Sequence, residues 1–369
     1  RQLMASLAAI GNDLYWGKRS FPFVGKRKVW YTVALCAVAI SLLLVATVGL
    51  KPGIEFSGGS EVTITALSNP KEGPANAVLR QQGLTNGARV TTTGSSSVRV
   101  QTPALDKTKL NKLSAGLAKA YNAKAADVNA TTIGPTWGKD VTAKAVRGLL
   151  IFFALVGALI WAYFRTWKMA AAALIALLHD VVITVGIYAL SGFEVTPATV
   201  IGVLTILGYS LYDTVVVFDK VRDNTRDFTR QHRATYAELA NLSINQTFVR
   251  SINTSVVGVL PVASILFVGA FILGAGTLRD ISLTLFIGMI AGTLSSVFLA
   301  TPMLVDLRGR EKEIKEHDAK VLRERKAKRE ANGEAEDDDA ADDTVYAAPL
   351  TPGHHLGVKA QPKKNRKRR

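Results

Sequence analysis

The chain has 369 residues, 48% of them hydrophobic, and a formal net charge of +16. Its apolar residues are gathered in long blocks, which excludes a soluble enzyme and indicates a membrane protein. The single cysteine, Cys36, excludes a disulfide scaffold and a cysteine-based metal site. No GxxxxGK(S/T) stretch is present to cradle ATP, so energy for any work must come from elsewhere.

Arg1 is not a start residue, so the sequence is expected to lack a few residues or to begin at Met4. Residues 1–28 read as a cytoplasmic segment ending in Lys26-Arg27-Lys28, with a short interfacial stretch from Gly11 to Phe23. Residues 29–50 follow without a charge. At 1.5 Å per residue they reach about 33 Å, enough for the hydrocarbon core. A signal peptide would be shorter and followed by a cleavage site, so this is read as a retained first span.

Residues 51–140 read as a separate polar domain. Glu61–Leu67 alternates as a strand, Gly73–Gln82 suits a short helix, and Ala88–Thr102 suits two strands around Gly94-Ser95-Ser96. Leu110, Leu113, Leu117 and Tyr121 share one face of a helix starting near Asp106, and Asp127–Ile133 is a final strand. The order β-α-β-β-α-β predicts a small ferredoxin-like α+β domain. It holds no His and no Cys, and nothing in it suggests catalysis.

Five further apolar blocks cover Val141–Phe164, Met169–Leu190, Val195–Phe218, Ser251–Leu273 and Ile281–Val305. The fold class is therefore a six-span α-helical membrane protein with one polar domain. Lys26–Lys28, Arg165, Lys168, Lys220, Arg222, Arg226, Arg230, Arg233 and Arg308 fall on one side, and the opposite loops near Glu194 and Arg279 carry almost no basic residues. Both termini are thus expected in the cytoplasm and residues 51–140 outside. Within the five-helix bundle of 141–306, the connection 219–250 reads as a cytoplasmic helix, either interfacial or solvated. Residues 307–369 read as a charged, largely disordered tail, with helical potential over Arg308–Glu330. The acidic run Glu334–Asp343 and the basic run Lys363–Arg369 lie within it. The basic run suits anionic lipid or ribosomal RNA, and a plain solvated tail equally well.

Asp213 lies inside the fourth span, where a carboxylate costs roughly 2.5–3.5 kcal/mol on insertion scales. Such a group needs a partner, water or a proton. His179-Asp180 forms a second polar pair in the third span. Arg250, Asn253 and Thr254 share a helical face at the start of the fifth. Asp213 and Arg250 belong to the same leaflet, so an ion pair broken by proton uptake is the expected switch. Against this, Arg250 also suits a plain positive-inside anchor, and His179 a satisfied packing residue. Gly288 and Gly292 form a GxxxG pair for close helix packing, and Pro261 permits a kink in span five.

The motifs together resemble the SecD and SecF protein-export family. Gly53-Ile54-Glu55-Phe56-Ser57-Gly58-Gly59 is similar to the family's GI(D/E)F.GG stretch, with Glu55 in place of the commoner Asp. Gly134-Pro135-Thr136-Trp137-Gly138, His179-Asp180-Val181, Tyr209–Phe218 with Asp219, and Asn245-Gln246-Thr247 through Ser255 resemble later stretches in order. The modest polar domain fits the SecF branch better. The resemblance implies a half of a resistance-nodulation-division transporter that pairs with SecD and is associated with SecYEG and often YajC. It implies use of the proton gradient to draw secretory chains outward after the SecA step, with protons as the coupling ion and no cofactor. Carried over, Asp213 titrates, Arg250 is its functional partner, and Gly58-Gly59 belong to a hinge. Three alternatives stay open: an aspartyl intramembrane protease built on Asp180 and Asp213, a lipid or small-molecule exporter, and a passive assembly subunit.

Overall fold

The computed structural model describes residues 12–16, 19–272 and 276–331. Six helices in it are long and apolar enough to cross a membrane. The first, α1 (Arg27–Thr47), leads into a two-residue strand β1 (Lys51–Pro52) and a single turn α2 (Ile54–Ser57). Then come β2 (Gly59–Ile64), α3 (Glu72–Gln81), β3 (Arg89–Thr93), β4 (Ser97–Thr102), α4 (Lys107–Tyr121) and β5 (Val128–Ile133). These form an antiparallel sheet ordered β3-β4-β2-β5. Val62, Ile64, Val98 and Val100 point from one sheet face into Ala75, Val78, Leu79, Leu113 and Leu117 of α3 and α4. Fully burying each of the larger side chains contributes roughly 1.5–3 kcal/mol. Asp106 caps α4 by accepting from the Lys109 amide at 2.8 Å. The strand expected at Glu61–Leu67 starts and ends earlier, because Gly59 and Ser60 already pair with Ile133 and Thr132 and Ala66 takes a positive φ of 57°.

The remaining spans are α5 (Pro135–Phe164), α6 (Trp167–Ser191), α7 (Pro197–Asn224) and α8 (Tyr236–Ser264), with a short strand β6 (Glu194–Val195) before α7. The last span is α9 (Gly276–Ser295), a stretch of π-helix (Ser296–Ala300) and α10 (Thr301–Arg308). Pro261 lies inside α8, which passes into π-helix at Ile265–Ile272; a proline cannot donate its share of the helical ladder. The GxxxG pair packs as expected. A Cβ on Gly288 would collide with Ile206 of α7, and one on Gly292 would lie 2.7 Å from Ser210 Cβ.

The connection is shorter than expected, and the helical potential of the tail is realised. The helical stretch expected over 219–250 is divided among three pieces. Helix α7 runs on to Asn224, only residues 225–235 connect, and Tyr236–Arg250 is the packed first half of α8. Its polar residues are buried because each finds a partner. Ser243 and Thr247 donate to the carbonyls of Leu239 and Ser243, four residues earlier. Asn245 accepts from the Phe21 amide at 2.8 Å and Asn241 from the Val24 amide at 3.1 Å, so the segment before α1 is strapped to α8. The tail is ordered at its start: Lys312–Ala331 is a helix, α11. Arg325 grips Glu238 with two 2.6 Å hydrogen bonds, and Asp318 accepts from the Tyr236 amide at 2.9 Å. The acidic and basic runs beyond Ala331 lie outside the described residues, as do Gly11, Gly17 and Lys18 of the Gly11–Phe23 stretch.

Candidate functional site

Two spans bring hydroxyl groups onto Asp213 of a third. The carboxylate is 5% exposed. Ser251 of α8 donates to its Oδ1 at 2.7 Å, and Ser296, where the last span turns to π geometry, donates to its Oδ2. Asp180 of α6 is 1% exposed. It accepts from Ser210 of α7 at 2.7 Å and Ser295 at 2.8 Å, both on Oδ2, and its Oδ1 lies 3.2 Å from His179 Nδ1. The two carboxylates are therefore neighbours through paired serines. Ser210 and Asp213 stand one turn apart on α7 and face the same way. Ser295 and Ser296 are consecutive, and the switch to π-helix there lets each reach a different carboxylate. The polar seam continues to Ser255, which lies 2.5 Å from Thr293 and 3.4 Å from the Tyr209 hydroxyl. Thr214, next to Asp213, keeps a buried hydroxyl without a hydrogen-bond partner.

The expected Asp213–Arg250 ion pair is not formed. Arg250 is exposed and donates to the Tyr212 hydroxyl at 3.3 Å. Asn253 is exposed beside it, and Thr254 is half-buried. The reason is one of phase. Adjacent helical residues point about 100° apart, so with Ser251 turned into the bundle Arg250 is turned out. The face that meets Asp213 carries Ser251 and Ser255, four residues apart. The pattern Gly288, Gly292, Ser296 was the available signal: the glycines pack on Ile206 and Ser210, so the next turn lands opposite Asp213. His179 and Asp180 do meet, as a contact between chain neighbours. No hydrogen bond joins Asp180 to Asp213 among the described residues, so the proton-sharing dyad that aspartyl proteolysis needs is not assembled.

An ionised Asp213 accepts two O–H donors. A protonated one must donate, and a serine oxygen can accept after a simple rotation. A guanidinium has no lone pair to accept the acid's O–H and favours the ionised form. Hydroxyl ligands can thus meet either form of a carboxyl by rotating.

The glycine-rich stretch lies where the polar domain meets the bundle. Gly58 has φ 73° and Gly59 φ 148°, conformations suited to glycine. A Cβ on Gly58 would lie 2.8 Å from the Pro135 Cα, so this turn is seated against the start of α5. Gly53 donates its amide to Val195 O at 2.9 Å, and Gly138 lies directly against the Phe56 carbonyl. Glu55 is half-buried in this joint. Burial pushes its carboxyl above the ordinary range, and the nearby Glu61 and Glu194 add to the effect while Arg99 opposes it.

The family model "Protein export membrane protein SecD/SecF, C-terminal" matches residues 113–310. A protein translocase subunit SecF of Streptomyces coelicolor is 46% identical over 349 residues, covering 94% of this chain and 91% of that one. The SecF of Mycobacterium tuberculosis H37Rv is 40% identical over 344 residues, covering 90% and 77%. The crystal structure of SecDF from Thermus thermophilus, described as a translocon-associated membrane protein, superposes with a TM-score of 0.71 at 31% identity. It aligns with 79% of this chain, which spans 39% of that longer one. By sequence and by structure, the chain belongs to the SecF branch of the SecD/SecF family of protein-export membrane proteins.

Proposed function

We propose that this chain is a protein-export subunit that works with SecD in the cytoplasmic membrane, using the proton motive force to move secretory chains outward after the SecA step. The observation that carries the reading is Asp213, buried at a junction of three spans and held by hydroxyl donors alone. A carboxylate at that depth is costly, and a proton is the ligand that relieves the cost. Loading and releasing the proton changes which way Ser251 and Ser296 direct their hydrogens, and with them the packing of α7 against α8 and the last span. Asp180, ringed by Ser210, Ser295 and His179, is the second station of the same seam.

Arg250, Asn253 and Tyr212 fit this reading from the other side of the helix. Tyr212 stands exposed on α7, and Arg250 and Asn253 stand exposed on α8, where Ile252, Val256, Val257 and Leu260 are also exposed. A guanidinium facing acyl chains is costly, so this face is one that SecD covers. Arg250 then contributes to proton coupling from the subunit boundary and not as a direct partner of Asp213. The termini are cytoplasmic, and the ferredoxin-like domain stands outside, hinged at Gly58-Gly59. Association with SecYEG and YajC follows from the same reading, with protons as coupling ion and no cofactor.

The test is export of a radiolabelled secretory precursor into inverted membrane vesicles carrying Asp213→Asn with SecD. The gradient-dependent part of export is lost and the ATP-driven part remains. Gradient-dependent export at the wild-type rate would overturn the reading.

A further inference from the structure

The sheet domain touches the membrane bundle at a third place besides its two covalent roots. Strand β1 pairs in parallel with β6, Lys51 opposite Glu194 and Pro52 opposite Val195. A pairing of two residues is marginal by itself. It is held by Glu194, whose side chain is 8% exposed. Gln101 Nε2 donates to Glu194 Oε2 at 2.9 Å, Arg99 Nη1 lies 3.4 Å from the same oxygen, and Arg89 Nη1 lies 3.9 Å from Oε1. Gln101 and Arg99 are on β4 and also hold Glu61 of β2, at 3.0 and 3.5 Å. One carboxylate of the bundle is thus clasped by the sheet face turned away from α3 and α4.

The placement of Glu194 in the chain gives this clasp its meaning. It lies in the short loop joining α6 to α7, and those helices carry Asp180 and Asp213. The loop is tied firmly to the bundle. Thr196 caps α7 through a capping box with Thr199, and its hydroxyl lies 3.2 Å from Asp280 Oδ2 at the head of the last span. Asp280 is buried with Arg279 3.5 Å away. A shift of α6 against α7 therefore moves Glu194 relative to the sheet.

We propose that Glu194 is a latch: it fixes the orientation of the sheet domain in one state of the bundle and lets go when α6 and α7 move, once per transport step. Glu194 is a positioning residue here, acting through Gln101 and Arg99. The inference rests on the export reading above.

The test uses the full chain assembled with SecD, Cys36 replaced by serine, and Pro52→Cys with Val195→Cys. Strand neighbours lie about 4.8 Å apart, inside the range a disulfide spans. The latch predicts that the disulfide forms readily, that export stops while it is closed, and that a thiol reductant restores it. Adding Glu194→Gln slows disulfide formation by about tenfold or more, as expected when a buried charge pair loses one member, and Arg99→Gln slows it as well. Undiminished export with the disulfide closed, failure of the disulfide to form, or a rate untouched by Glu194→Gln each overturns the latch. Absence of gradient-dependent export in the unmodified complex would instead sink the export reading itself.

Discussion

The inner and outer carboxylates of this protein are satisfied in opposite ways. Inside the bundle, Asp180 and Asp213 are held mainly by serine hydroxyls. At the sheet joint, Glu61 and Glu194 face Arg99 and Arg89, and on the far side Glu238 is gripped by Arg325. A carboxylate paired with a fixed cation is strongly biased to stay ionised, because neutralising it strands a buried positive charge. A carboxylate paired with hydroxyls is free of that penalty. On the proposed function, the contrast separates groups that change protonation from groups that fasten one part of the molecule to another.

Removing the inner charge has the largest effect. Asp213→Asn abolishes gradient-dependent export. Next comes removal of its donors. Ser251→Ala with Ser296→Ala leaves the carboxylate buried without hydrogen bonds, each of which is worth roughly 1.5–3 kcal/mol to a charged group. Gradient-dependent export should fall by at least about tenfold, with a displaced pH optimum, while Ser251→Thr with Ser296→Thr retains most of it. Equal export by the alanine pair would break the distinction between the two kinds of site.

The cation-paired groups predict a different readout. Glu238→Gln removes the charge that holds Arg325, and breaking a buried pair costs about 3–5 kcal/mol. The expected result is loosening of α11, seen as faster tryptic cleavage between Lys312 and Ala331, with the proton dependence of export unchanged in shape. An altered pH profile would mean that this end of the molecule belongs to the proton path.

The smallest effect is at Glu55. Its carboxyl is raised, so the folded joint binds a proton more readily than the unfolded chain does. Stability therefore increases as pH falls from above the raised value toward the ordinary glutamate range, and the gain is absent at higher pH. Glu55→Gln should flatten that dependence in a protease-resistance titration of residues 51–140. A joint that weakens on acidification would contradict the assignment.

Much of this was legible from residue patterns. The six spans follow from block length, and the sheet domain from alternation and the Leu110–Tyr121 stripe, because burial dictates both. That Asp213 needs polar partners was visible, because a lone carboxylate in an apolar run has a known cost. Its partners were not. Charge attraction points to Arg250, yet helical phase turns that residue outward and presents Ser251, and serines are too common to announce themselves. The connection around Asn241 and Asn245 read as interfacial or solvated for a similar reason. Its polar side chains serve a segment more than two hundred residues away in sequence, which no local pattern records. Glu194 was noticed only as part of a loop with few basic residues; its clasp depends on the alternation of β4, which places Gln101 and Arg99 together on the face away from the helices.

The central claim is that Asp213 itself takes up and releases a proton while its serine ligands rearrange. Isotope-edited infrared difference spectroscopy of the complex with SecD in a bilayer, with aspartate carboxyls labelled, tests it most directly. A pH step should produce a protonated-carboxyl band that disappears in Asp213→Asn and shifts in frequency when Ser251 and Ser296 are both alanine. A wild-type spectrum in which that band is absent, or survives unchanged in Asp213→Asn, would contradict it.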